Sequence, residues 1–364
     1  MKKIRWWAPQ IGTEEKKFLG KVISSHFPNE GDLTARFEKK IASLLGVKHA
    51  VAVTSGTAAL FLALKALGIG KGDEVIVPDV TFIATANAVE LTGARSVLVD
   101  IDPLTLNISP EVAEKACTEK TRAILPVHVS GRGCNMKDIM RIAEKRGIYI
   151  VEDAAEAFMS KFEGQYLGTF GRLGCFSFSA HKTITTGQGG MVVTDDELLS
   201  VRLRELKDQG RPKRGTGGDD RHDSLGYNFK FTDLQAAVGL GQLKYLNSRL
   251  SAMRRIHIRY KKNLKGLDGI SVFDFDTASG EMPQWTDAIA EDRDGLDSFL
   301  EKNNIDCRRF WLPVHTQIPY RLPDAGFPNS TALARKAIWL PSAFTMTTRD
   351  VDYVCDKIKD FYKR

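Results

Sequence analysis

Along this chain, short runs of apolar residues alternate with longer stretches whose apolar positions recur every three or four residues. Leu33, Phe37, Ile41, Leu44 and Leu45 mark one face of a helix over residues 32–45. Ala50-Val51-Ala52-Val53 then reads as a short strand, followed by Thr54-Ser55-Gly56-Thr57 and an apolar helix to Leu67. The alternation continues with a strand at 74–77, a helix at 81–91, a strand at 96–99 and a helix at 110–117. Residues 123–127 (strand), 136–146 (helix) and 149–152 (strand) extend it. This order predicts an α/β fold with a mainly parallel sheet covered by helices on both faces. Ligands of such sheets bind where the strands end at their carboxyl termini.

Further on, Phe176-Ser177-Phe178 and Met191-Val192-Val193-Thr194 read as strands separated by a polar segment. Residues 208–224 (DQGRPKRGTGGDDRHDS) are rich in glycine and charge, without apolar periodicity, and predict a long mobile loop. Leu234, Ala237, Val238, Gly241 and Leu250 predict one long helix bridging two domains. A smaller α+β region follows, closed by a helix with Val351, Val354, Cys355, Ile358 and Phe361 on one face. The expected division is a large domain over 1–245, N-terminal segment included, and a small one over 246–364.

Composition narrows the class. A chain of 364 residues with 43% hydrophobic content has enough material for two cored domains. Neither a signal peptide nor a membrane span is visible, since the apolar run 58–64 is ended by Lys65. Five cysteines, at 117, 134, 175, 307 and 355, lack CxxC spacing, which argues for a reducing cytoplasm and against a disulfide frame or zinc site. The net charge of +7 gathers in RLRELKDQGRPKR (202–214) and RRIHIRYKK (254–262), but no nucleic-acid motif accompanies it. The second cluster reads as a solvated helix face, the first as a region that attracts an anionic substrate.

The chemistry concentrates in CFSFSAHKTITTGQGGMVVT, residues 175–194. Lys182 stands between two strands among hydroxylated residues, and Gly187, Gly189 and Gly190 allow a tight reversal behind it. An amine held rigidly beside a cofactor phosphate is what covalent carbonyl chemistry on a lysine requires. Ser55-Gly56-Thr57 opens a helix after a strand, a place suited to phosphate or to ordinary capping. Phe82, at the start of the 81–91 helix, reads as a core aromatic or a stacking platform. Asp153, after a strand in VEDAAEA, reads as a helix cap or as a carboxylate paired with a ring nitrogen.

These stretches together resemble the sugar aminotransferases of the DegT/StrS type that use pyridoxal phosphate, and among them the perosamine synthase group. The lysine segment is similar to that group's FSF, two variable positions, then NKTITTGEGGMVVT; VEDAAEA is similar to VEDAAQA or VEDCAEA; Gly226-Tyr227-Asn228-Phe229-Lys230 is similar to GYNYR. The resemblance covers the chain from about residue 31 onward. It implies the aspartate-aminotransferase-like fold of type I, a homodimer with shared active sites, and pyridoxal 5'-phosphate as cofactor.

The resemblance also implies site roles. Lys182 and Asp153 are the catalytic pair, and Ser55, Gly56, Thr57 and Ser177 hold the phosphate. Phe82 stacks on the pyridine, Asp153 pairs with its nitrogen, and Glu156 lies by the phenolic oxygen or the sugar. Asn228 reaches the phosphate of the neighbouring subunit. Lys230, Arg308 and His315 are candidates for the substrate; no metal is implied. The implied reaction moves the amino group of glutamate onto a 4-keto nucleotide-linked sugar for surface polysaccharide or glycoside synthesis. Amination at C3, another keto sugar, or a non-catalytic regulatory relative remain alternatives. Three departures stand out: Gln188 for the glutamate of GEGG, Val129-Ser130-Gly131-Arg132-Gly133-Cys134-Asn135 for LYGxPxD, and 306–315 for the TRPxFYPxH region, where Arg308 and His315 keep matching positions.

Overall fold

The computed structural model describes residues 3–212 and 220–363. The first sheet takes β1 (His49–Val53), β2 (Glu74–Pro78), β3 (Arg95–Val99), β4 (Thr121–Ile124) and β5 (Tyr149–Asp153). A small hairpin, β6 (Lys161–Phe162) and β7 (Gln165–Tyr166), precedes its last members, β8 (Leu173–Ser177) and β9 (Gly190–Thr194). The order across the seven strands is β1-β9-β8-β5-β4-β2-β3. From β8 to β3 all neighbours are parallel, whereas β9 runs antiparallel to both β1 and β8. The reversal arises because the chain turns straight back after the Lys182 segment instead of crossing over through a helix. Every residue of β2 is buried, as an interior parallel strand covered on both faces demands.

The helix Gly56–Ala66 runs directly across this sheet. Ser55 caps it, its hydroxyl accepting the Ala58 N–H at 3.1 Å, and residues 58–64 are buried without exception. A helix that is apolar all round must be enclosed. Its start is pressed onto β9: a Cβ added at Gly190 would lie 2.2 Å from the Ser55 carbonyl oxygen.

Three expectations shift. The helix expected over 81–91 begins only at Ala84, because the Phe82 carbonyl accepts both the N–H and the hydroxyl of Thr85 and leaves Thr81 and Phe82 in a turn. Phe82 is consequently 54% exposed rather than a core aromatic. The single bridging helix is two, Asp233–Leu243 and Leu246–Leu264, broken at Lys244–Tyr245. The first packs by Phe37 and the helix Thr13–Ser25, while the second buries Ile256, Tyr260 and Leu264 in another core, so one straight axis serves neither. Of the loop expected at 208–224, residues 213–219 lie outside the described residues, as do Lys213 and Arg214 of the first basic cluster.

A second, antiparallel sheet contains β10 (Ile270–Val272), β11 (Thr286–Ala290), β12 (Arg308–Arg309) and β13 (Ala337–Leu340) in the order β10-β11-β13-β12. The helix Thr348–Tyr362 buries Val351, Val354, Cys355 and Ile358 against its core, in line with the apolar spacing. The N-terminal segment lies here too: Ile4 pairs with Ile305, and the Trp6 carbonyl accepts the Ser342 N–H at 3.1 Å. Among the described residues no helix is long and apolar enough to cross a membrane, and no group of three or more His, Cys, Asp or Glu is placed to hold a metal ion.

Candidate active site

At the carboxyl ends of β1, β2, β4, β5 and β8 opens a cleft of about 470 Å³. One end is formed by the start of the helix Gly56–Ala66 and by Ser177, the last residue of β8. Ser55, Gly56, Thr57 and Ser177 all border the cleft. A Cβ on Gly56 would come 2.9 Å from that of Ser177, so glycine is what lets helix and strand close here. The first N–H groups of a helix have no intrahelical acceptor, and here they face a polar hollow lined by hydroxyls.

The floor is Asp153, ending β5 at 6% exposure. Its carboxylate accepts the Thr85 hydroxyl at 2.8 Å and the Ala155 N–H at 3.1 Å, both uncharged donors. Burial pushes this carboxyl above the usual carboxylate range, with those two hydrogen bonds and the nearby Lys182 opposing it. Phe82 borders the same space with much of its ring uncovered.

Lys182 lines the same cleft, and its Nζ lies 3.3 Å from Glu156 Oε1 and 5.0 Å from the centre of the Trp285 ring. Glu156 is buried, and its other oxygen accepts the Ser130 N–H at 2.9 Å. Burial raises its carboxyl too, against the pull of the Lys182 ammonium and the Ser130 amide. Arg308, from β12, reaches the cleft between the rings of Trp6 at 4.9 Å and Trp339 at 5.4 Å. Burial lowers its basicity, while the charge of Glu156 restores part of it.

Three expected residues stand elsewhere in the chain. Asn228 is exposed and pairs through its backbone with Asp208. Lys230 holds Asp208 at 2.7 Å. His315 is wholly buried, with Nδ1 2.6 Å from Asp79 Oδ2 and its ring stacked on Phe327 at 4.4 Å; it braces the turn that presents Thr81 and Phe82.

The model of the DegT/DnrJ/EryC1/StrS aminotransferase family matches residues 9–359. The chain belongs to that family. This aminotransferase is similar to the GDP-perosamine synthase of Escherichia coli O157:H7, 39% identical over 367 residues that cover 100% of this chain and 99% of that one. Among solved structures it is similar to DesV from S. venezuelae, with a TM-score of 0.92, 33% identity, and coverage of 96% and 95% of the two chains. The Streptococcus pneumoniae protein Spr1654, described as a sugar aminotransferase and solved in its PLP-form, superposes with a TM-score of 0.94 at 26% identity over 99% of both chains.

The family's cofactor is pyridoxal phosphate, and the residues fit it. Asp153 is a buried carboxylate with no cation directly bonded to it among the described residues, which a protonated ring nitrogen would satisfy. The open helix start with Ser55, Thr57 and Ser177 suits a phosphate, the exposed Phe82 ring suits stacking on a pyridine, and Lys182 offers an amine in the same cleft. Sequence reasoning did not single out Thr85, Trp285 or Trp311, which complete the cleft. Thr85 had a usable signal, one helical turn beyond Thr81; the tryptophans come from distant segments and had none.

Proposed function

We propose that this aminotransferase moves the amino group of glutamate onto a 4-keto nucleotide-linked sugar, as perosamine synthases do, for surface polysaccharide or glycoside synthesis. It works as a homodimer in which each subunit lends Asn228 to its neighbour's phosphate site. The observation that carries the reading is that Lys182 and Asp153 line one and the same cleft, together with Arg308.

When bound, pyridoxal phosphate supplies an electron sink that lets an amino group pass from donor to acceptor. Asp153 keeps the ring nitrogen protonated, since a buried carboxylate is best satisfied by a cation at hydrogen-bond distance. The helix start and Ser177 anchor the phosphate, and Phe82 limits the tilt of the ring. Lys182 Nζ would be the group that moves a proton at the donor carbon, as general base and then acid. Glu156 at 3.3 Å holds that amine in place between the two transfers. Arg308, flanked by rings and without a carboxylate at salt-bridge distance among the described residues, is free to meet an anionic group of either substrate. A non-catalytic relative has no use for this constellation.

Borohydride reduction of the purified, cofactor-loaded protein followed by peptide mapping should place the pyridoxyl group on Lys182. A label on a different lysine ends the proposal. For the substrate, incubation of glutamate with 3-keto and 4-keto nucleotide sugars, read by mass spectrometry, should give amine only with the 4-keto compounds. Amination of the 3-keto compounds alone would move the assignment to C3.

A further inference from the structure

The departure from LYGxPxD noted above falls against Glu156. Ser130, in the turn Val129–Gly131, has a left-handed backbone at φ 54° and ψ 15° and is wholly buried. That conformation is unfavourable for any residue with a side chain and persists where partners hold it. Ser130 has four such bonds. Its N–H donates to Glu156 Oε2 at 2.9 Å, and its hydroxyl donates to Asp287 Oδ1 at 2.8 Å. Its hydroxyl oxygen accepts the Trp339 Nε1–H at 3.3 Å, and its carbonyl accepts the Gln284 N–H at 2.9 Å. Asp287 belongs to β11 and Trp339 to β13. Asp287 is fixed in turn by Arg132, whose Nη2 lies 2.5 Å from Oδ2 and whose guanidinium sits between Phe273 at 4.9 Å and Phe275 at 4.7 Å. An unbroken line of short contacts therefore runs from the second sheet through Ser130 and Glu156 to the amine of Lys182.

We propose that Ser130 is a positioning residue: anchored on Asp287, it aims its N–H at Glu156 and so keeps that carboxylate beside the Lys182 amine. The inference rests on the reading of Lys182 as the cofactor-linked lysine. The charged groups that face this amine are Glu156 and Asp153 from the end of β5 and beyond, His181 beside it, and Arg308 from β12. Of these Glu156 touches it, at 3.3 Å, so releasing Glu156 frees the amine to leave its place.

Ser130→Gly tests this, because glycine adopts the left-handed turn without strain and retains the N–H while the hydroxyl is deleted. The parent is measured first: its visible cofactor band must bleach when glutamate is added. A parent that loads cofactor on Lys182 but does not bleach overturns the functional reading, and the role of Ser130 with it. In a parent that bleaches, Ser130→Gly should slow the glutamate half-reaction about tenfold with KM held within about twofold, the mark of misplaced acid–base machinery. In a Glu156→Gln background the same change should cost less than about twofold, since residues acting through one another are not additive. A parent-like rate in Ser130→Gly, a loss carried by KM alone, or an undiminished loss in the Glu156→Gln background would overturn the proposal.

Discussion

Asp153 is buried with a hydroxyl and an amide as its direct partners, an arrangement made for a charge that arrives from outside the chain. Because burial raises its folded-state carboxyl above the ordinary 3.8, the fold without cofactor binds this proton more tightly than the unfolded chain does. That contribution to stability is complete below about pH 4 and is lost as pH rises through the raised value. Cofactor-free Asp153→Asn should therefore gain in Tm relative to the parent as pH is raised from about 4 to 7, by differential scanning fluorimetry. Loaded with cofactor, the same variant should turn over about a hundredfold more slowly, because a neutral amide no longer holds the ring nitrogen protonated. A loaded variant at parent-like rate would reduce Asp153 to a structural group. Asp153 and Lys182 could be singled out in the sequence because each sits in a short local pattern at the end of a strand, VEDAAEA and the 175–194 run. Ser130 and Trp285 could not, since what gives them a role is packing against segments far along the chain.

Among elements, the helix Gly56–Ala66 and strand β9 set the shape of the phosphate end. Gly190→Ala would push a methyl group into the Ser55 carbonyl and the Gly56 nitrogen, both backbone atoms that cannot rotate aside. A loss of about 1–3 kcal/mol in a urea melt is expected from such overpacking. If the helix start holds the phosphate as proposed, cofactor affinity should weaken as well; an unchanged affinity in equilibrium dialysis would show that the start of the helix is not part of that site. The strand pattern predicted every member of this sheet, yet not the reversed direction of β9, because periodicity records burial and is blind to direction. The break at Lys244–Tyr245 was hidden for a similar reason: both helices carry the same period, and only their separate cores distinguish them.

At the scale of the whole molecule, Lys182 lines the cleft and Asn228 stands exposed away from it. In the proposed dimer they meet across the two-fold axis. A heterodimer of Lys182→Ala and Asn228→Ala subunits, isolated through two affinity tags, combines both defects in one site and leaves the other whole. It should recover about half of the parent activity at limiting cofactor, by the symmetry of the interface. Activity equal to the mean of the two parent variants would assign Asn228 to its own subunit.

The pairing of β1 with β9 joins His49 to Thr194. Ile4 finds Ile305 at still greater separation. Such long closures are slow, since the chain must be confined before any contact rewards it. On the ribosome β1 has no partner until β9 has emerged, an interval on the order of ten seconds at ordinary synthesis rates. During that interval an apolar strand is available to other nascent chains. A nascent chain stalled before residues 190–194 have left the ribosome should therefore recruit chaperones, and one stalled after they have emerged should release them.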